Sequence, residues 1–289
     1  MLTRLALLAA VAGAVAASTS GAAPAGVPGA PHVLLIGDSV ATGMQWHNDA
    51  IAALQKGLNV DWQVAVCRRL TGPSCTFDGD TPPNLVDLVT SLGVVDPIVV
   101  VEMGYNDFES TFAASVDQSI RTLLQHGAQH VIWLTLREVH HPYIHMNDIL
   151  VAAAKRYPQV KVVDWNMYAR SHPDWFQTDG EHLIDAGGVA MAGLIHLAVD
   201  EVAFPLRITP GEFRTPRVGS PYSLQLAASG GQAPYRWSLV GSPPLGLHLL
   251  ASGRIYGTPR RAQRVTFRVR CTDAEGQITS RRIVLSVQS

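Results

Sequence analysis

The chain has 289 residues, 47% of them hydrophobic and 16% charged, with a formal net charge of −1. This composition supports a sizeable core and argues against a chain that is disordered along most of its length. With no basic stripe and a near-neutral balance, it also gives no electrostatic footing for nucleic acid or an anionic membrane surface. At roughly 100–200 residues per domain, the length fits one large domain and one small one.

Residues 1–17 read as a signal peptide. Arg4 supplies the positive region, Leu5 to Ala17 the apolar run, and Ala14, Ala16 and Ala17 the small residues of a cleavage site. The run is shorter than the roughly 20 residues needed to span a bilayer. The expectation is therefore export, with a secreted, extracellular product. Residues 18–30 follow as an Ala/Gly/Pro/Ser linker.

From 31 to 204 two patterns alternate. Short Val/Ile-rich runs occur at "HVLLI", "VDWQVAV", "PIVVVEM", "HVIWLTL" and "VKVVDW", and most are apolar at successive positions. Strands buried on both faces read this way. Helical stretches separate or follow them at about 40–56, 84–93, 112–126, 145–156 and 184–203. The alternation predicts a parallel sheet in a three-layer α/β/α domain. In an exported chain, Cys67 and Cys75 of "CRRLTGPSC" are placed for a local disulfide. Cys271 lies in a strand-like run and reads as a buried free thiol.

From 205 to 289 the helical period disappears. Alternating runs at "YSLQLAA", "PYRWSLV", "GRIYG", "VTFRVRCT" and "SRRIVLSV" are separated by Gly/Pro/Ser turns, the pattern of a small antiparallel β-sandwich. Pro-Leu-Gly-Leu at 244–247, "GRIYGTP" at 253–259 and Thr272-Asp273 before Gly276 resemble the Ig-like domain of bacterial secreted and surface proteins. That resemblance implies a fold and possible cell-surface or polysaccharide contact, and no activity of its own.

Three motifs in the first region carry chemistry. Ser39, in "GDSV", ends the first strand where a helix begins, the edge of a parallel sheet at which ligands bind. Taken alone, Ser39 reads as a helix N-cap. "TDGEHL" puts Asp179 three residues before His182, so that one turn directs both side chains the same way. Alone, Asp179 reads as the cap of the last helix. "GYND" at the end of the third strand offers the Asn106 amide as a donor; alone, Asn106-Asp107 is an Asx turn. Combined, they meet the needs of a hydrolytic serine: a base, an orienter for that base, and donors for an oxyanion.

In this order and spacing, Gly37-Asp38-Ser39-Val40, Gly104-x-Asn106-Asp107 and Asp179-x-x-His182 resemble the SGNH (GDSL-type) hydrolases. The resemblance implies a flavodoxin-like fold, Ser39 as nucleophile, His182 as base and acid, Asp179 as its orienter, and Asn106 with the Ser39 N–H as oxyanion donors. That family usually places a glycine donor after the second strand. Here "AVCRRLTGPSC" follows, and two candidates remain: Gly72, or the Arg68/Arg69 backbone held by a Cys67–Cys75 bridge.

The chemistry needs no cofactor, and no zinc spacing is present, so neither cofactor nor metal is expected. His140, His141 and His145 of "REVHHPYIHMND", with Tyr143, lie in a loop expected after the fourth strand; they, and Trp175 and Phe176, read either as ordinary packing or as lining of the cleft. No Gly-x-Gly-x-x-Gly follows a strand, which argues against a dinucleotide site. The expected function is ester hydrolysis through an acyl-enzyme, on a short acyl ester or an acetylated carbohydrate. The alternatives are acyl transfer to a carbohydrate, or a cell-surface binding role with an inert first domain.

Overall fold

The computed structural model describes residues 29–209 and 214–289. The expected signal peptide, and all but the last two residues of the linker, lie outside them. Five parallel strands, β1 (His32–Gly37), β2 (Asn59–Val64), β3 (Ile98–Glu102), β4 (His130–Leu134) and β5 (Val160–Val163), form one sheet in the order β2-β1-β3-β4-β5. Alternate residues of the central strands serve two cores, which explains their unbroken apolar runs. Leu34, Ile36, Val99, Val101 and Trp133 face α3 (Leu85–Leu92), α4 (Glu109–Gln125) and α5 (His141–Arg156). Val33, Leu35, Val100, Ile132 and Leu134 face α1 (Ser39–Gln45), α2 (Asn48–Gln55), α6 (Trp165–Ala169) and α7 (Asp185–Ala203).

The helices differ from the sequence pattern in three places. The helix expected over 40–56 is two, broken at Trp46–His47, and the His47 Nδ1 pairs with Asp185 at 2.8 Å. The break lets α2 run along α7. There Gly188 faces α1 and α2, where a Cβ on it would make ordinary contact with Ala50 at 3.5 Å. Helix α5 begins at His141 rather than 145, because Pro142 suits a first helical turn. Helix α6 was not expected; Asp164 caps it by accepting from the Met167 N–H at 2.9 Å. Among the described residues, α7 alone is long and apolar enough to cross a membrane, but its Met191, Ala192, Ile195 and Val199 are core residues.

The all-β region forms two three-stranded antiparallel sheets and a short pair. The strands are β6 (Arg207–Ile208), β7 (Tyr222–Gln225), β8 (Ala228–Ser229), β9 (Arg236–Val240), β10 (Leu247–Leu249), β11 (Arg254–Gly257), β12 (Gln263–Thr272) and β13 (Ile278–Val287). They associate as β10-β11-β7, β13-β12-β9 and β6-β8. Trp237, Ile255, Phe267, Val269 and Ile283 fill the space between them, with Cys271 as a buried free thiol. The Asp273 carboxylate, inside the motif at 272–276, accepts from the N–H groups of Gln232, Glu275 and Gln277 and so fixes two turns. Strands β6 and β10 are too short to show an alternating pattern.

Candidate active site

The nucleophile turn is set by Gly37 and Asp38. At the end of β1 the chain folds back so tightly that a Cβ on Gly37 would lie 2.1 Å from that of Ala41. Asp38, not Ser39, caps α1: one carboxylate oxygen accepts from the Val40 N–H at 3.1 Å. The other accepts from the N–H groups of Gly104 (3.2 Å) and Tyr105 (3.3 Å), which ties this turn to the one after β3. Burial pushes the Asp38 carboxyl up to about 7, against the pull of those N–H donors. Beside it, Glu102 is buried; burial first, and then Asp38, raise it well above the usual range, against the Ala41 N–H. With capping left to Asp38, the Ser39 hydroxyl is free for another partner.

That partner is His182, whose Nε2 lies 3.0 Å from Ser39 Oγ. Its Nδ1 lies 2.8 Å from Asp179 Oδ2. Asp179 does not cap α7, which starts after Ile184 without a side-chain cap. Instead its Oδ1 accepts from the N–H groups of Glu181 (2.8 Å) and His182 (3.0 Å). Burial opposes the charge, but those N–H groups and the His182 ring outweigh it and hold the Asp179 carboxyl below its ordinary range. The loop is closed by Gln177 N–H to His182 O (2.7 Å) and Ile184 N–H to Trp175 O (3.0 Å).

Two residues that the sequence did not single out brace this loop. The Arg137 guanidinium stacks 3.7 Å over the Phe176 ring and donates to Gly180 O at 3.2 Å. Glu181, between Asp179 and His182, accepts from the Tyr143 hydroxyl at 3.0 Å. Burial raises its carboxyl, against Tyr143 and His182. Arg137 lies three residues beyond the end of β4, on the active edge of the sheet, which was its only signal. Glu181 had none apart from its place in the motif.

Asn106 and Asp107 lie in a turn closed by the Asp107 N–H to Gly104 O (3.0 Å), and their side chains reach across to the loop after β2. The Asn106 amide donates to Arg68 O at 3.3 Å, and Asp107 accepts from the Leu70 N–H at 3.2 Å. Arg69 donates through Nε to Asn106 O at 2.7 Å and lies 4.2 Å over Phe108. The Cys67–Cys75 disulfide closes this loop. Gly72 stands apart, with its carbonyl accepting from the Asn84 amide at 2.9 Å.

The remaining cleft candidates divide. Tyr143 is buried at the site, whereas His141 and His145 lie on the first two turns of α5, with His145 paired to Glu109 at 2.7 Å. Phe176 is buried under Arg137, and Trp175 stacks with His172 at 3.9 Å between ring centres. Among the described residues, no group of three His, Cys, Asp or Glu side chains is placed to hold a metal ion. What the site assembles is a hydroxyl, an imidazole and a carboxylate in one hydrogen-bonded line.

Residues 207–288 match the family described as "Putative Ig domain". Over 97 residues the chain is 32% identical to the O-acetyltransferase OatA of Staphylococcus aureus, which covers 34% of the chain and 15% of that protein. A "Putative peptidoglycan O-acetyltransferase YrhL" of Bacillus subtilis is 30% identical over 98 residues, covering 34% and 14%. The chain thus spans only a small part of these relatives. Similar solved structures include the catalytic domain of Streptococcus pneumoniae peptidoglycan O-acetyltransferase A (21% identity, 60% of this chain, 94% of that one, TM-score 0.46). Another is Est24, a carbohydrate acetylesterase from Sinorhizobium meliloti (15% identity, 60% and 99%, TM-score 0.47). Esterases and O-acetyltransferases are thus among the proteins this chain is similar to, and the family match falls on the all-β region.

Proposed function

We propose that this chain is a secreted serine esterase that hydrolyses short acyl esters, with acetylated carbohydrate as the substrate class. The observation that carries the reading is the line Ser39 Oγ–His182 Nε2–His182 Nδ1–Asp179 at 3.0 and 2.8 Å. Asp179 accepts the Nδ1 proton, so Nε2 is the free lone pair. Ser39 Oγ attacks the ester carbonyl carbon, its proton passes to Nε2, and the carbonyl pair moves onto oxygen. The Asn106 amide and the Ser39 N–H donate to that oxyanion. Collapse expels the alcohol, which takes the proton from His182, and leaves an acyl group on Ser39. Water deprotonated by His182 then releases the acid.

In the same reading, residues 1–17 direct export, residues 31–204 carry the chemistry, and residues 205–289 hold the enzyme on cell-surface or polysaccharide material. A second reading, acyl transfer to a carbohydrate hydroxyl, is favoured by the local 32% identity to an O-acetyltransferase. One experiment separates them: p-nitrophenyl acetate is turned over with and without a soluble glycan acceptor, and the products are resolved by mass. Free acetate in both cases supports the esterase. Acetylated glycan that grows at the expense of acetate supports the transferase. Equal turnover by Ser39→Ala would remove the serine mechanism from both.

A further inference from the structure

We infer that the Cys67 backbone N–H is the oxyanion donor from the second-strand loop, and that the Cys67–Cys75 disulfide holds it in place, so that turnover depends on the oxidised bridge. This rests on the serine mechanism proposed above and adds a residue and a redox condition to it. Four observations carry it.

The first is position. The Ala65 N–H bonds to Gly37 O at 3.1 Å, so the chain leaving β2 runs beside the nucleophile turn, and Cys67 lies two residues further on. The second is conformation. Cys67 has φ 70°, and among the described residues only one other non-glycine, Asp78, has a positive φ. Left-handed backbone is where a glycine would be expected, and turns that contain it are where N–H groups converge on an anion. The third is a census of donors. The Arg68 N–H is spent on Ala65 O (3.3 Å), that of Arg69 on Ser74 Oγ (3.2 Å) and that of Leu70 on the Asp107 carboxylate (3.2 Å). Among the described residues the Cys67 N–H has no such partner. Neither Arg68 nor Arg69 is therefore free to donate, and Gly72 lies against Asn84.

The fourth is restraint. The Cys67 carbonyl accepts from the Cys75 N–H at 3.3 Å, the Cys67 side chain is bonded to Cys75, and the next carbonyl, that of Arg68, accepts from the Asn106 amide at 3.3 Å. A strained residue persists only where its surroundings over-determine it. Here the surroundings are one covalent bond and two hydrogen bonds, and the Asn106 donor is part of the same frame. As Ser39 attacks, the carbonyl pair becomes an alkoxide lone pair, and the Cys67 N–H donates to it without being consumed.

Two double variants and reduction test this on the full chain with p-nitrophenyl acetate. Cys67→Gly/Cys75→Ser loses the bridge but keeps a residue at ease in the left-handed region. Cys67→Ala/Cys75→Ser loses the bridge and keeps the strain. Loss of one oxyanion donor costs about 10²–10³ in kcat, so kcat of the alanine pair is expected to fall by at least about tenfold with little change in KM. The glycine pair should recover to within a few-fold of the parent. Dithiothreitol, reducing the bridge to two thiols as it forms its own cyclic disulfide, should lower kcat of the parent and leave the glycine pair unaffected.

Ser39 labelling by a fluorophosphonate, whose tetrahedral adduct calls on the same donors, reads the same comparison without turnover. Thermal melts of both pairs separate a folding defect, which lowers Tm and labelling in both alike. Equal kcat and equal labelling in the glycine and alanine pairs, or a parent indifferent to reduction of a bridge shown to be open, would overturn the inference while leaving the esterase reading intact. A parent that neither hydrolyses the ester nor takes the label would bring down both.

Discussion

Replacing Asp179 by asparagine tests the hydrogen-bonded line at its far end. The Asp179 Oδ1 accepts two backbone N–H groups, from Glu181 and His182, and asparagine keeps that oxygen. The Oδ2, 2.8 Å from His182 Nδ1, becomes an NH2 group. An acceptor is thus exchanged for a donor, and the ring must offer Nδ1 as a lone pair and carry its proton on Nε2. That proton then faces Ser39 Oγ at 3.0 Å, where the reaction needs a base. Losing a general base costs about 10²–10⁴ in rate, equivalent to about 2.7–5.4 kcal/mol at 1.36 kcal/mol per decade. The Asp179 side chain is 47% exposed and that of His182 36%, so water competes for the ring and the lower end applies. The expectation for Asp179→Asn is a loss of about a hundredfold in kcat on p-nitrophenyl acetate, with Tm held within about 2 °C. Asp179→Ala, which releases both backbone N–H groups as well, should lose a similar rate and also Tm. An asparagine variant within tenfold of the parent would refute the reasoning.

Asn106→Ala should lower kcat by about 10²–10³ with KM little changed, as seen in steady-state kinetics. Gly37→Ala forces a Cβ to within 2.1 Å of Ala41 and 3.1 Å of a Val64 methyl, so urea unfolding should show a loss of about 1–3 kcal/mol or more. The pH dependence of stability has a definite sign. Burial raises Asp38 and Asp107 from the ordinary 3.8 to about 7, so between those values the folded chain holds protons that the unfolded chain has released. Their contribution therefore falls as pH rises from about 4 to 7 and levels off above. Urea midpoints at pH 5 and pH 8 should differ in that direction, and Asp107→Asn should narrow the gap; a midpoint that rose with pH would contradict it.

The strands were legible because both faces of the sheet are buried, so Val99, Val100 and Val101 could each be apolar without breaking a period. The break at Trp46–His47 was not legible, because its partner is the distant Asp185 rather than any local breaker. Helix α6 was hidden because five residues hold too little period and its cap, Asp164, closes a strand-like run. At the site, the sequence named Ser39, Asn106, Asp179 and His182, yet Ser39, Asn106 and Asp179 each had an ordinary local reading as a cap or turn residue. The structure gives the capping of α1 to Asp38, directs the Asn106 amide to Arg68, and leaves α7 without a side-chain cap. The left-handed backbone at Cys67 had no sequence signal, since nothing about a cysteine suggests φ 70°. Glu102 was equally silent, and Arg137 and Glu181 had only their places after β4 and inside the motif, because their roles lie in contacts across the fold.

The central claim is that Ser39 carries the acyl group. Its most direct test is to quench the protein rapidly during turnover of p-nitrophenyl acetate, digest it, and locate the acetyl group by mass spectrometry. The account predicts acetyl on the peptide that contains Ser39, chased away by further incubation in water and absent from Ser39→Ala. Acetyl on another residue, or a Ser39→Ala protein that turns over the ester at the parent rate, would contradict it.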